Sequence, residues 1–232
     1  MIQFYAQNLE GDCALGQEEA VHCMRVLRKK VGDIISVTDG RGRRYDCEIL
    51  RGDAKRVDLR ILSVKEESKS WPYRITLVVA PTKNGDRMSW LVEKAVEIGV
   101  DEIVFVETAC SERKRVNIDR LRRNAISAMN QSLKCRMPEI SGMISLKEAV
   151  KLPGERFFGY CSDEIPRLDF VKTYRKGADV VIMIGPEGDF TPKEVDFLMG
   201  EGFKPVTFGD ERLRTETAAL YGVVAVHVVN RE

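Results

Sequence analysis

The chain predicts a parallel α/β sheet covered by helices on both faces, preceded by a small β-rich domain. Three observations carry this reading. From Tyr73 onward, strand-like apolar runs alternate with amphipathic helical ones. Before residue 70 the runs are short, alternating and separated by glycine turns. Between them lies SVKEESKSWPY (63–73), a polar stretch closed by Trp71-Pro72. The expected domains are therefore a β-rich one over residues 1–68 and an α/β one over 72–232.

In the first part, IISVTDGRGRRYDCEIL (34–50) has the pattern strand, glycine turn, strand, and RVDLRILSV (56–64) adds a further short strand. Such pieces are too short for helices and suit a small barrel or sheet. GRGRRY (40–45) is a hairpin turn and not a dinucleotide loop, because Tyr45 stands where the third glycine belongs and no helix follows. In the second part the strands are RITLVVA (74–80), EIVFVE (102–107), RFFGY (156–160), DVVIMIG (179–185) and Pro205 to Phe208. The helices are DRMSWLVEKAVEIG (86–99), IDRLRRNAISAMNQSL (118–133), TPKEVDFLMGEG (191–202) and ETAALYGVVAVHVV (216–229). Glu93 and Glu97 flank Lys94 on the first of these helices and are expected to form surface ion pairs. His227 lies among valines and is expected in a core or an interface.

Composition narrows the function. A chain of 232 residues with 44% hydrophobic and 31% charged residues can build a core and is neither disordered nor fibrous. No apolar run approaches the roughly 20 residues of a membrane span. The start, MIQFYAQNLEGDC, lacks a basic stretch followed by an apolar one, so a cytoplasmic location without membrane contact is expected. Six scattered cysteines without a CxxC pair, and two histidines, are expected to be reduced, mostly buried thiols and to hold no metal. The net charge of +1 conceals its distribution. Between Cys110 and Arg136 eight basic residues face two acidic ones, and Arg25, Arg28, Lys29, Lys30, Arg41, Arg43 and Arg44 form a second set. One such run is most simply a solvated helix face; two suggest a polyanionic partner.

Two breaks in the α/β pattern carry the site. In IGPEGDFTPKEV (184–195) a buried strand breaks into Gly185-Pro186-Glu187-Gly188 and reopens as a helix, with Thr191 placed as N-cap, Pro192 in the first turn and Glu194 at capping-box spacing. In FGDERLRTETAALYGVVAV (208–226) a short strand again ends in glycine, passes Arg212 and Arg214 and enters a helix capped at Thr215 or Thr217. In open parallel sheets ligands bind beyond the carboxyl ends of the strands. Two glycine-bearing ends facing one site could hold a flat, polar cofactor by backbone contacts. No Gly-Lys-Ser/Thr follows either glycine, so neither break is a phosphate loop.

The pair IGPEGDF and FGDERLRTETA strongly resembles the RsmE family of SPOUT-class RNA methyltransferases. The resemblance extends to HCMRVLRKKVGDIISVTDGRG (22–42), similar to the family's PUA-like RNA-binding domain, and to KNGDRMSWLVEKAVEIGV and SERKRV, similar to the start of its catalytic domain. Asp189 replaces the family's usual second glycine. The resemblance implies S-adenosylmethionine as cofactor and transfer of its methyl group to N3 of uridine 1498 in the 16S ribosomal RNA of the small subunit. It also implies a C-terminal trefoil knot and a homodimer with the cofactor near the subunit interface. Other outcomes within reach of the same sequence are methylation of another base or of a ribose 2'-oxygen, and a non-catalytic role in ribosome assembly.

From this follow the candidate residues. The cofactor is expected against the backbone of Gly185, Pro186, Glu187, Gly188, Gly209 and Thr215, with Leu213 and Ala218 as apolar walls. Removal of the N3 proton needs a base, for which Glu216 and Glu187 both qualify. The developing anion needs a cation or donor, for which Arg214 is chosen. His22, Arg25, Arg28, Arg43, Lys83, Arg87, Arg113 and Arg115 are the expected RNA contacts.

Overall fold

A computed structural model describes residues 2–162 and 165–231. The chain divides into two compact units, Met1–Trp71 with Ile126–Met137, and Pro72–Ala125 with Pro138–Glu232.

The first unit holds β1 (Gln3–Tyr5), α1 (Leu9–Asp12), β2 (Ala14–Leu15), α2 (Gln17–Val21), β3 (Ile34–Thr38), β4 (Arg43–Gly52) and β5 (Val57–Glu66). Its sheet runs β1-β3-β4-β5-β2. Strands β3, β4 and β5 are antiparallel, as the hairpin reading requires, and β1 joins β3 in parallel. Alternation places Tyr45, Cys47 and Ile49 of β4 inward and exposes Asp46. Together with Phe4, Leu9, Leu15, Val37 and Val57 the inward residues form one core. The GRGRRY turn is held by Asp39, whose Oδ1 accepts the N–H groups of Arg41 at 2.7 Å and Arg43 at 3.2 Å. Residues 126–137 are stitched to the same turn: Gly42 N–H donates to the Cys135 carbonyl at 2.7 Å, and Met137 N–H to that of Gly40 at 2.8 Å.

After Val21 the helix widens into a π-helical turn over His22–Val26, in which Leu27 N–H donates to the His22 carbonyl at 2.9 Å. Single π turns of this kind often mark functional positions. Arg28 follows with φ 52°, so the helix-like stretch ends in a left-handed residue rather than simply fraying.

The second unit holds β6 (Ile75–Val79), α3 (Gly85–Ile98), β7 (Glu102–Glu107), α4 (Ile118–Gln131), β8 (Glu139–Ser145), α5 (Leu146–Ala149), β9 (Glu155–Gly159) and β10 (Leu168–Asp169). It continues with α6 (Phe170–Thr173), β11 (Val180–Ile184), α7 (Pro192–Gly200), β12 (Lys204–Thr207) and α8 (Thr215–Arg231); residues 126–131 of α4 count with the first unit. The order is β10-β12-β9-β11-β6-β7-β8, with every pairing parallel. Strands β6 and β11 are buried at every position, as parallel central strands must be when both faces are covered. Helix α3 is capped by the Asn84 side chain and buries Met88, Leu91, Val92, Ala95 and Val96 along one stripe. Chain order reverses around β11. It pairs with β6 on one side and β9 on the other, Ile184 lying level with Gly159, and Val206 of β12 lies level with Gly159 in turn. The carboxyl ends of β9, β11 and β12 therefore stand side by side, and the loops that follow them converge.

Glu93 and Glu97 both pair with Lys94, at 2.9 and 2.8 Å. His227 bridges the Tyr73 hydroxyl at 2.9 Å and the Gly99 carbonyl at 2.8 Å, which accounts for an imidazole among valines. Burial pushes the Cys23 thiol up to about 11 and that of Cys47 to about 12, so neither is a ready thiolate. No described helix is long and apolar enough to cross a membrane.

Candidate active site

The three converging loops enclose a cavity of about 450 Å³, a size suited to a small organic ligand. Its floor is the strand ends: Gly159 and Tyr160, Ile184 and Gly185, Val206 and Thr207. Close packing fixes that floor, since a Cβ on Gly159 would lie 2.9 Å from Ile184 and 3.0 Å from Phe208. The loop after β11 is held at both ends. Thr215 Oγ1 donates to the Gly185 carbonyl at 3.1 Å. Downstream, Thr191 and Glu194 form the anticipated capping box at α7, while the other oxygen of Glu194 accepts Ala109 N–H at 2.8 Å. Thr215 thus ties the two glycine loops together; it is already the first residue of α8, whose first turn is closed by Ala218 N–H donating to the Arg214 carbonyl at 2.8 Å.

Asp189 has φ 59°, a left-handed conformation that glycine adopts at no cost and aspartate tolerates better than most residues. Its carboxylate supplies the compensation, with Oδ1 accepting Phe190 N–H and Oδ2 accepting Cys161 N–H, each at 2.9 Å. Gly209, at φ 131°, turns the third loop, and Thr207 Oγ1 donates to its carbonyl.

Of the expected cofactor residues, Gly185, Pro186, Glu187, Gly209, Leu213, Thr215 and Ala218 border this cavity. Gly188 does not, and its α-carbon faces Cys110, whose Cβ would be 3.2 Å from an added Cβ. The β9 loop adds Tyr160, Cys161, Ser162 and Arg167, none of them anticipated. Gly159, which ends β9 within RFFGY, was the available signal, but only the pairing of β9 with β11 shows that this end belongs to the site.

Arg214 and Glu216 border a second, more open concavity, together with Asp86, Arg87, Trp90, Arg212, Leu213 and Thr217. Leu213 and Arg212 belong to both. Arg214 is exposed and has no ion-pair partner among the described residues. The Glu216 side chain is 9% exposed; Oε1 lies 3.6 Å from Arg87 Nε, and Oε2 is buried without a hydrogen-bond partner. Glu187 is exposed and accepts Lys83 N–H at 3.2 Å.

The remaining basic residues fall into two classes. Arg25, Arg28 and Arg115 are exposed with no ion pair among the described residues, and His22 is exposed with its ring edge-on to Phe4. Arg43 pairs with Glu10 at 3.0 Å, Lys83 with Glu112 at 3.1 Å, and Arg87 with Glu216. The Arg113 guanidinium lies against Gly85, 2.7 Å from where a Cβ would be.

Comparison with known families decides the lineage. The RNA methyltransferase domain profile matches residues 69–227, and the RNA methyltransferase PUA domain profile matches residues 15–62. This chain belongs to the RsmE family of RNA methyltransferases. It is 27% identical to the ribosomal RNA small subunit methyltransferase E of Rickettsia conorii, over 93% of this chain and 89% of that one. Among solved structures, a probable rRNA-methyltransferase from Porphyromonas gingivalis is 42% identical and superposes with a TM-score of 0.94 over 100% of this chain and 99% of that one. A ribosomal RNA small subunit methyltransferase E from Neisseria gonorrhoeae, bound to S-adenosyl methionine, is 26% identical with a TM-score of 0.85 over 99% and 98%. The RsmE-family fold, a parallel-sheet methyltransferase domain with a PUA-like domain before it, is thus the architecture read from the alternating segments.

Proposed function

We propose that this chain transfers a methyl group from S-adenosylmethionine to N3 of uridine 1498 in the 16S RNA of the small ribosomal subunit. In this reading residues 1–68 bind RNA, residues 72–232 carry the chemistry and a C-terminal trefoil knot, and the working form is a cytoplasmic homodimer. The observation that supports it most is the meeting of IGPEGDF and FGDERLRTETA on one cavity, whose Leu213 wall is shared with the concavity of Arg214 and Glu216.

The cavity suits the cofactor. Its backbone-rich wall at Gly185, Pro186 and Gly209 would meet polar edges, and Ile184, Leu213 and Ala218 would flank apolar faces. When bound, S-adenosylmethionine supplies a methyl group on a sulfonium; replacing N3–H by N3–CH3 leaves a thioether and one proton. The chain's own task is to align the base, exclude water and manage that proton and the charge it leaves. Glu216, with one oxygen unpartnered, is the better placed acceptor, since Glu187 is engaged by Lys83 N–H. Arg214, permanently charged and unpaired, can donate to a uracil carbonyl as negative charge spreads over O2 and O4.

Arg25, Arg28 and Arg115 suit phosphate contacts, which position RNA without reading sequence. Tyr221 and Val228, seven residues apart on one face of α8 and 43% and 46% exposed, support a second copy as partner. The test is calorimetry with S-adenosylmethionine, followed by methyl transfer to small subunits from cells lacking the gene and digestion to nucleosides. N3-methyluridine is expected. A 2'-O-methylated nucleoside, another methylated base, or no transfer would overturn the reading.

A further inference from the structure

Trp90 is 41% exposed, large for an indole in a folded domain. It stands three residues after Arg87 on α3, on the same helix face, and both border the concavity that holds Glu216. The Glu216 carboxyl is more than nine-tenths buried, and one of its oxygens has no donor. A carboxylate oxygen so placed calls for a donor from outside the described residues. Asp86, the other carboxylate of the concavity, is already taken by Arg120 at 2.7 Å. The Arg87 guanidinium lies 3.6 Å from the Glu216 carboxyl, and the unpaired Arg214 borders the same concavity. The concavity therefore presents a carboxylate and two guanidinium groups beside an exposed aromatic face.

We propose that this concavity is the pocket for the target nucleobase. Trp90 is its stacking platform, Glu216 with Arg214 selects an imide edge, and Arg87 is a positioning residue that holds the Glu216 carboxyl in place. The inference rests on the reading above that a uridine is methylated. The edge of uracil runs carbonyl, N–H, carbonyl, so the Glu216 carboxylate can accept the N–H while the Arg214 guanidinium donates to a neighbouring carbonyl. Cytosine and adenine turn a ring-nitrogen lone pair toward the carboxylate, so each leaves two acceptors facing. Selectivity then comes from the pocket even where phosphate contacts are indifferent to sequence. Because Leu213 and Arg212 border both cavities, a base seated here lies next to the cofactor wall.

The test compares wild type, Trp90→Ala, Trp90→Phe, Glu216→Gln and Arg87→Lys. Each is assayed by single-turnover methylation of small subunits from cells lacking the gene, cofactor calorimetry and thermal melting. Trp90→Ala is expected to lose roughly tenfold or more in single-turnover rate at unchanged cofactor affinity, with Trp90→Phe recovering most of it. Glu216→Gln should lose about 10²-fold. Arg87→Lys should keep the cofactor and shift the pH profile of the rate. Wild type that methylates no uridine overturns the functional reading, and this inference with it. Wild type that methylates uridine while both Trp90 variants react at its rate overturns the pocket alone. If Glu216→Gln fails to fold, the Trp90 pair decides.

Discussion

The Asp189 carboxylate accepts the backbone N–H of Cys161 at 2.9 Å, so one side chain ties the β11 loop to the β9 loop on the wall of the same cavity. The left-handed backbone of Asp189 and this bond oppose each other energetically. Asp189→Gly should relieve strain of about 1 kcal/mol and lose a hydrogen bond of similar worth, leaving the melting temperature nearly unchanged. Asp189→Ala loses the bond and keeps the strain, so it should melt earlier. Both should bind S-adenosylmethionine roughly tenfold more weakly, because the two loops are no longer joined. Melting curves and calorimetry on the pair check this; equal melting of the two variants would contradict it.

A Cβ on Gly185 would lie 3.1 and 3.3 Å from the buried ring of Phe190. The larger Gly185→Val change should therefore displace the loop, costing about 1–3 kcal/mol of stability and abolishing measurable cofactor binding. Unchanged affinity by calorimetry would remove the Gly185 loop from the cofactor site.

Arg214 has no ion-pair partner among the described residues: Glu216 faces Arg87, and Glu187 faces Lys83 N–H. A structural strut would show a partner, so the residue is expected to act on the substrate. Arg214→Ala should lose about 10²-fold in single-turnover rate at saturating cofactor, with melting and cofactor affinity unchanged. Arg214→Lys should recover only part, since it keeps the charge and loses the planar fork. Early melting with a wild-type rate would return Arg214 to the scaffold.

Burial raises the Glu19 carboxyl to about 7, against a hydrogen bond from Asn130 Nδ2 at 3.0 Å that favours ionisation. The unfolded chain releases this proton first as pH rises. Folding stability contributed by this group therefore falls between the ordinary carboxylate value and about 7, and levels off above it. Glu19→Gln should flatten that slope and make the protein more stable than wild type by roughly 1–3 kcal/mol at about pH 8, with little difference at about pH 4. Melts at the two pH values decide it.

What was legible in the sequence was what local physics dictates. The capping box at Thr191 and Glu194 and the alternation in β4 follow from neighbours a few residues apart. So do the glycine breaks after β11 and β12, with Gly209 at φ 131°. What was not legible depends on pairing across the chain. Cys161 and Ser162 enter the cavity only because β9 lies beside β11, and nothing in CSDEIPR announces that neighbour. Thr215 reads as a helix cap, yet α8 already begins at it, and its hydroxyl donates to the Gly185 carbonyl 3.1 Å away. Strands β8 and β10, the second of only two residues, are defined by their partners β7 and β12 more than by their own weak patterns. Gly188 looked equivalent to Gly185 in sequence, yet the turn between them points it at Cys110.

The central claim is that this chain methylates N3 of one small-subunit uridine. Mass-spectrometric nucleoside mapping of small-subunit RNA from cells with and without the gene tests it most directly. N3-methyluridine at position 1498 is predicted to vanish in the cells without the gene and to return with the wild-type chain but not with Arg214→Ala. Persistence of that nucleoside without the gene, or loss of a ribose methyl group in its place, would contradict the account.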